Sequence, residues 1–220
     1  MTTPLRGVRR AGSTALLAEL ADLDDVLALR AALERDRPNG VRELIAAART
    51  LLVTYDPAVA GHDGLSRTLA ERAGALPADG AGTGQAPSGQ ATRHDTLVVP
   101  VRYDGPDLAD VTELTGLTVR EVIERHTAPL YTVAFAGFAP GFGYLTGTDP
   151  VLHLPRRSEP RTAVPSGSVA VAGGFTGVYP RSSPGGWQLL GSTDAPLWEE
   201  DRTPPALLVP GRNVRFEETT

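Results

Sequence analysis

The densest charge chemistry in the sequence is the segment PRRSEPR, where Arg156 and Arg157 follow Pro155 and Arg161 follows Pro160. Between Val151 and Gly191 there are four arginines against the single acid Glu159, in a chain of 220 residues with a formal net charge of -5. A planar guanidinium grips a carboxylate or phosphate through two parallel hydrogen bonds, and the flanking prolines restrict the backbone that carries it. The segment therefore reads as an anion site. A solvated turn with ordinary surface ion pairs is the alternative.

His126 is the candidate proton-transfer group. Thr118 and Glu121 stand in the T-x-x-E spacing of a capping box, which predicts a short helix from Val119 to about Arg125 with His126 at its C-terminal end. The partial negative charge there favours a protonated imidazole, so the ring is expected to titrate in a range useful for acid and base work. A histidine that only caps the helix satisfies the same pattern.

In GFAPGFGYL, Phe138, Phe142 and Tyr144 either line a small pocket or fill a core. Core packing is expected of both phenylalanines, whereas Tyr144 keeps a polar tip. Ser166 and Ser168 in VPSGSV lack the G-x-S-x-G elbow of a serine nucleophile. Their turn, around Gly167, is expected to offer backbone N–H donors to a developing oxyanion.

Absences exclude much. All 21 basic residues are arginine and no cysteine occurs, which removes a phosphate-loop lysine, a Schiff-base or biotin-bearing lysine, thiol nucleophiles, disulfides and cysteine-ligated zinc. His62, His94, His126 and His153 lie far apart without metal-ligand spacing, so no metal site is expected. An acidic chain is a poor partner for nucleic acid or an anionic membrane. The helical stretch from Asp107 to His126 would turn Asp107, Asp110, Glu113, Glu121 and Glu124 toward phosphates, which argues against DNA binding. No apolar run approaches the length that spans a bilayer, and the acids from Glu19 onward do not fit a signal peptide, so a cytoplasmic location is expected.

The elements that must position these residues fall into two parts. In residues 1–77, STALLAEL and TLLVTY read as strands, DDVLALRAALERDR as a helix stopped by Pro38-Asn39-Gly40, and Gly64 to Leu76 as a second helix. The order strand, helix, strand, strand, helix predicts a small α+β domain of ferredoxin-like type. Residues 78–95 contain ADGAGTGQAPSGQAT, which has no periodicity and predicts a flexible linker. Residues 96–220 turn all-β in texture after Leu130. Gly137 to Gly191, a quarter of the chain, holds 11 of the 24 glycines and 7 of the 19 prolines, which predicts short strands and tight turns closed into a barrel.

GFAPGFGYL, PRRSEPR, VPSGSVAVAGG, TGVYP and SPGGWQLLGST, in that order over about 60 residues, resemble the allophanate hydrolase subunit 1 or KipI family, the biotin-independent carboxyltransferase-like proteins that include the B subunit of ATP-dependent 5-oxoprolinase. The resemblance runs from about Leu97 to Phe216 and more weakly over the N-terminal part. It implies a cyclophilin-like β-barrel, a second barrel protein of the allophanate hydrolase subunit 2 or 5-oxoprolinase C-subunit kind, a LamB/YcsF-like third component, and a site between the proteins of the complex. It also implies cleavage of 5-oxoproline to glutamate with ATP and favours Arg157 and Arg161 as substrate-binding residues, beside which the residues themselves offer Tyr144, Ser166 and Gly167 for binding and His126 for catalysis. Inhibition of a sensor histidine kinase is the alternative, and a urea-derivative hydrolase or carboxyltransferase a further one. Three positions depart from the family pattern: Gly12-Ser13 for Gly-Asp, Phe175 for glutamine, and Pro210-Gly211-Arg212 for Pro-Gly-Asp.

Overall fold

The computed structural model describes residues 4–77 and 96–220. The chain divides into two compact units whose boundary falls between Ser88 and Gly89. The predicted linker, 78–95, lies outside the described residues.

The first unit runs β1 (Leu5–Arg10), β2 (Ala15–Leu20), α1 (Leu23–Arg35), β3 (Val41–Ala46), β4 (Thr50–Tyr55) and α2 (His62–Gly74). The strands form one antiparallel sheet in the order β1-β2-β4-β3. Leu16, Ala18 and Leu20 in β2 and Leu51, Val53 and Tyr55 in β4 are buried at every second position, the period of a strand with one covered face. The cover is the two helices, which bury Val26, Leu27, Leu29 and Leu33 of α1 and Leu65, Leu69 and Ala73 of α2. Asp22 starts α1 by accepting the Asp25 amide at 3.0 Å.

This α+β layering agrees with the sequence reading, but the element order does not. An additional strand, β1, opens the chain and pairs with β2, so that β1 and β3 form the two edges of the sheet. With three arginines and no fully buried residue, Leu5–Arg10 offers no apolar alternation to read.

The second unit runs β5 (Leu97–Val101), α3 (Leu108–Thr115), α4 (Val119–Thr127), β6 (Tyr131–Ala136), β7 (Gly143–Thr146), a 3-10 turn (Pro150–Leu152), β8 (Arg161–Val164), β9 (Ser168–Ala172), β10 (Phe175–Val178), β11 (Ser183–Gly185), β12 (Gln188–Ser192) and β13 (Asn213–Glu218). Seven strands follow the order β12-β9-β10-β7-β6-β13-β5, and β8 with β11 makes a separate ribbon. Just past β5, Arg102 and Ser192 exchange two backbone hydrogen bonds of 2.8 Å, joining the sheet's ends into a nearly closed barrel.

The interior holds Val99, Val101, Tyr131, Val133, Leu145, Val169, Val178, Val214 and Phe216. The unit is not purely β. Leu108, Val111 and Val122 of α3 and α4 pack on Leu152, Leu154, Val171 and Leu190. The Thr118–Glu121 capping box forms as the spacing predicts, with the Thr118 amide donating to the Glu121 carboxylate at 2.8 Å.

Closure depends on backbone contact without side chains between. A Cβ on Gly191 would fall on the Arg102 carbonyl oxygen, and one on Gly105 would fall on the Leu189 carbonyl oxygen. Neither obstacle is a side chain that can swing away. Gly191→Ala should therefore cost more than about 2 kcal/mol in urea unfolding, whereas Gly7→Ala, with open space around its Cβ, should change stability by less than about 1 kcal/mol. Equal effects would mean that the junction does not constrain the barrel.

Candidate active site

Asp107, at the N-terminal boundary of α3, is 1% exposed, and its carboxylate accepts four hydrogen bonds. Arg157 Nη1 donates to Oδ1 at 2.6 Å. Arg161 forks onto both oxygens, Nη1 to Oδ2 at 2.9 Å and Nη2 to Oδ1 at 2.6 Å. The Leu189 amide of β12 donates to Oδ2 at 2.8 Å. Arg157 also reaches Asp110, at 3.0 Å. The hydrogen bond to Asp107 raises the Arg161 pKa above its ordinary value, against a smaller opposing effect of burial.

This corrects the expectation for Arg157 and Arg161. Their guanidinium groups do grip a carboxylate, Arg161 bidentately, but the carboxylate belongs to the chain itself. Residues roughly fifty positions apart are joined, so the ion pair left no local spacing in the sequence by which Asp107 could be found.

Arg156 takes no part in this ion cluster. The Pro155 carbonyl accepts from Gln188 Nε2 at 3.2 Å, and the Arg157 amide donates to the Gly186 carbonyl at 2.7 Å, so the backbone on both sides of Arg156 is pinned to the segment around Trp187. Its own side chain is exposed and, among the described residues, makes no hydrogen bond or ion pair.

Trp187 belongs to an aromatic cluster. On β7 and β10, Leu145 and Val178 face the barrel interior while Tyr144 and Phe175 face the opposite way, so the cluster sits on the outer side of the sheet beside the β8–β11 ribbon. Tyr144 stacks on Phe135 at 4.4 Å between ring centres and meets Phe175 and Trp187 edge-on at 5.6 Å each. Phe142 packs edge-on against Trp187 and Tyr179 at 5.5 and 5.4 Å. Burial raises the pKa of the Tyr144 and Tyr179 hydroxyls, and the positive charge of Arg156 acts on both in the opposite sense.

Phe142 is in the core, as expected, but Phe138 is not. It is 57% exposed, at φ 64°, and touches Phe142 and Tyr179 at 5.2 and 5.9 Å. A bulky residue in the left-handed region carries strain of order 1–3 kcal/mol, which the surrounding structure must hold in place. Phe175, the departure from the family pattern, contributes an edge to this cluster and no polar group.

The turn at Ser166 and Gly167 is spent internally. Gly167 N–H donates to the Tyr179 carbonyl at 2.7 Å, and Ser166 Oγ donates to the Pro180 carbonyl at 3.0 Å. The Ser168 amide donates to the Pro165 carbonyl at 3.3 Å, so the amides of Gly167 and Ser168 do not form the oxyanion donor pair expected of this turn.

His126 lies in the last turn of α4 and inside the barrel, fully buried. Nδ1 is 2.7 Å from the Tyr103 hydroxyl, and the ring packs 4.7 Å from Phe216 and 5.6 Å from Tyr131. Among the described residues Nε2 has no partner. Burial lowers the pKa to about 3, so the expected protonated imidazole is corrected to a neutral one. Desolvation outweighs the helix-end field, since among the described residues no carboxylate acts on the ring.

Among the described residues there is no cluster of three or more metal-ligating side chains. A shallow depression lined by Thr14, Arg42, Glu43, Thr54 and Tyr55 lies in the first unit, where Arg42 is already paired with Asp56. It carries no reactive set.

The buried imidazole makes stability depend on pH. In the unfolded chain His126 binds a proton near its ordinary pKa of 6.5, while in the folded chain it does so only near 3. The unfolded state therefore binds more protons over this interval, and stability falls as the pH drops below 6.5, by up to about 1.4 kcal/mol per pH unit. Between pH 7 and 5, before carboxylates dominate, His126→Leu should flatten the decline measured by urea unfolding. An unchanged slope would place the proton uptake elsewhere.

The comparisons with known proteins bear on the whole chain. Residues 6–208 match the family model described as carboxyltransferase domain, subdomain C and D. The chain is similar to the 5-oxoprolinase B subunit of Escherichia coli O157:H7, with 50% identity over 123 residues that make up 54% of this chain and 56% of the relative. With the 5-oxoprolinase B subunit of Bacillus subtilis strain 168 it shares 47% identity over 121 residues, 54% of this chain and 50% of the relative. The matches thus span about half the length of these curated relatives. The crystal structure of TTHA0988 aligns with 97% of this chain and 40% of its own, at 36% identity and a TM-score of 0.70. The urea carboxylase of Kluyveromyces lactis aligns with all of this chain and 23% of its own at a TM-score of 0.70 but 17% identity, a likeness of fold. With the barrel, its outer aromatic face and the family match over residues 6–208 taken together, the chain belongs to the carboxyltransferase-domain family of subdomains C and D, the family its sequence motifs resemble.

Proposed function

We propose that this chain is one component of an ATP-dependent amide-cleaving enzyme of the 5-oxoprolinase kind, opening the lactam of 5-oxoproline to L-glutamate. The observation that carries the reading is the 50% identity with a 5-oxoprolinase B subunit over 123 residues. An unstrained amide is a weak electrophile, and transfer of a phosphoryl group to its oxygen makes the carbon open to water. Water adds there, the ring C–N bond breaks with the nitrogen taking up a proton, and a second water releases phosphate from the acyl phosphate so formed. This chain's contribution is to bind and orient an anionic substrate.

At the outer aromatic cluster Phe138 is 57% exposed, which suits contact with another protein. The partners in this reading are a barrel protein of the allophanate hydrolase subunit 2 or 5-oxoprolinase C-subunit kind and a LamB/YcsF-like protein. The region of TTHA0988 that aligns with this chain is 40% of a longer chain, which leaves room there for further structure. Without any lysine this chain has no phosphate-loop cation, so the reading assigns ATP to the assembled complex. Arg157 and Arg161 shape the site through Asp107, and His126 serves as a neutral core residue. Among the described residues no helix is long and apolar enough to cross a membrane, and the reading places the complex in the cytoplasm.

Reconstitution tests the proposal. With the barrel partner and the LamB/YcsF-like protein supplied, the chain should support 5-oxoproline-dependent release of ADP and glutamate in equal amounts, and omission of any one component should abolish it. An assembled set that binds together but turns over neither compound contradicts the reading.

A further inference from the structure

Two aromatic side chains are exposed on neighbouring loops of the second unit, Phe138 at 57% and Trp198 at 42%. The loops meet at Gly141, where an added Cβ would stand 3.1 Å from the Trp198 Cβ and 3.2 Å from the Pro180 Cβ. Each ring is carried on a pinned backbone. Phe138 sits at φ 64° in a loop closed by the Ala139 amide donating to the Gly137 carbonyl at 2.7 Å and the Phe142 amide to the Ala139 carbonyl at 3.0 Å. Trp198 stands on a loop clamped by Arg202, which donates to the Pro196 carbonyl at 3.1 Å and the Pro205 carbonyl at 2.7 Å. Aromatic groups held in place before contact lose little freedom on binding, and exposed rings with charge beside them have the composition of a protein interface.

The neighbouring charges select the occupant. Glu200 and Asp201 follow Trp198, are exposed, and make no hydrogen bond or ion pair among the described residues, because Arg202 is taken by Glu199 and the loop carbonyls. Arg181, after Pro180, is likewise exposed and without an ion pair among the described residues. Two acids against one arginine match a second copy poorly, and that copy would bring a further net charge of -5. A different protein with a basic rim is the better complement. In TTHA0988 the region like this chain is 40% of one longer polypeptide, so further protein is tethered to it there.

We infer that Phe138 and Trp198 anchor the barrel partner of the complex, with Glu200 and Asp201 meeting basic residues on that partner. The inference rests on the proposed function for the partner's identity, while the docking face itself is read from the rings and the charges. The strained backbone of Phe138 then has a use, since it keeps a ring at the surface that the partner covers.

A biosensor titration of the purified barrel partner onto the full chain tests this without reading turnover. Phe138→Asn removes the ring and keeps a residue that tolerates the left-handed region, and Trp198→Gln removes the other ring. Each should weaken binding by about tenfold or more, chiefly through faster dissociation. Reversal of both acids, Glu200→Arg with Asp201→Arg, should slow association and change its salt dependence. Neither acid supports an internal contact, so this variant keeps the test open if a ring variant unfolds. Leu114→Gln, which removes a comparably exposed apolar side chain from α3, should leave binding unchanged. Wild-type affinity in both ring variants, an equal loss in Leu114→Gln, or an association rate unmoved by the charge reversal overturns the assignment. A dimer of the chain alone that the ring variants convert to monomer also overturns it and gives the face to a second copy. A wild type that does not bind the partner at all removes the proposed assembly as well, whereas wild-type binding with unaffected variants removes only this face, so the two failures are distinguishable.

Discussion

The second unit depends on one buried carboxylate. Asp107 gathers the start of α3, the loop that carries Arg157 and Arg161, and the backbone of β12 onto two oxygen atoms. Removing such a charge from water costs several kcal/mol, and the cost is met only when the geometry is good and every lone pair is used. Here a bidentate fork, a second guanidinium and a backbone amide meet that condition. The carboxylate is consequently required as long as the arginines are there: with it gone, two partly buried guanidinium groups would lose their counter-charge.

The same arrangement decides where chemistry is available. Inside the barrel the polar groups are neutral and turned on one another: His126 meets Tyr103, the Tyr131 hydroxyl donates to the His126 carbonyl at 2.9 Å, and Thr148 meets Thr176 at 3.1 Å. Burial holds the imidazole uncharged. Outside, two of the three arginines in PRRSEPR are consumed in fixing the loop, and the third, Arg156, is exposed.

Local patterns in the sequence were informative where the physics is local. The capping box at Thr118 and Glu121, the apolar spacing of Leu65, Leu69 and Ala73 in α2, and the glycine and proline density of the barrel each act over a few residues, and each appears in the structure where the sequence places it. What was not legible depends on distant partners. Asp107 read as one acid of a polar helix, because its arginines lie about fifty residues downstream. Phe138 and Phe142 read alike in GFAPGFGYL, and only the path of the loop sends one to the surface and the other to the core. His126 was found by its place at a helix end, but its charge state was missed because the barrel that buries it is assembled from strands far along the chain. The strand Leu5–Arg10 was hidden by its arginines, since an edge strand needs little apolar surface.

The most direct test of the central claim compares two variants by urea unfolding. Asp107→Asn keeps the shape but removes the charge. The triple change Asp107→Leu, Arg157→Met, Arg161→Leu replaces the whole ion cluster with apolar groups of similar bulk. If Asp107 holds the fold together by neutralising two partly buried arginines, the single variant should lose about 3–5 kcal/mol and the triple variant should recover most of that loss. A single variant within about 1 kcal/mol of the wild type would contradict the account, because the arginines would then be shown to stand without the carboxylate and to be available for a ligand.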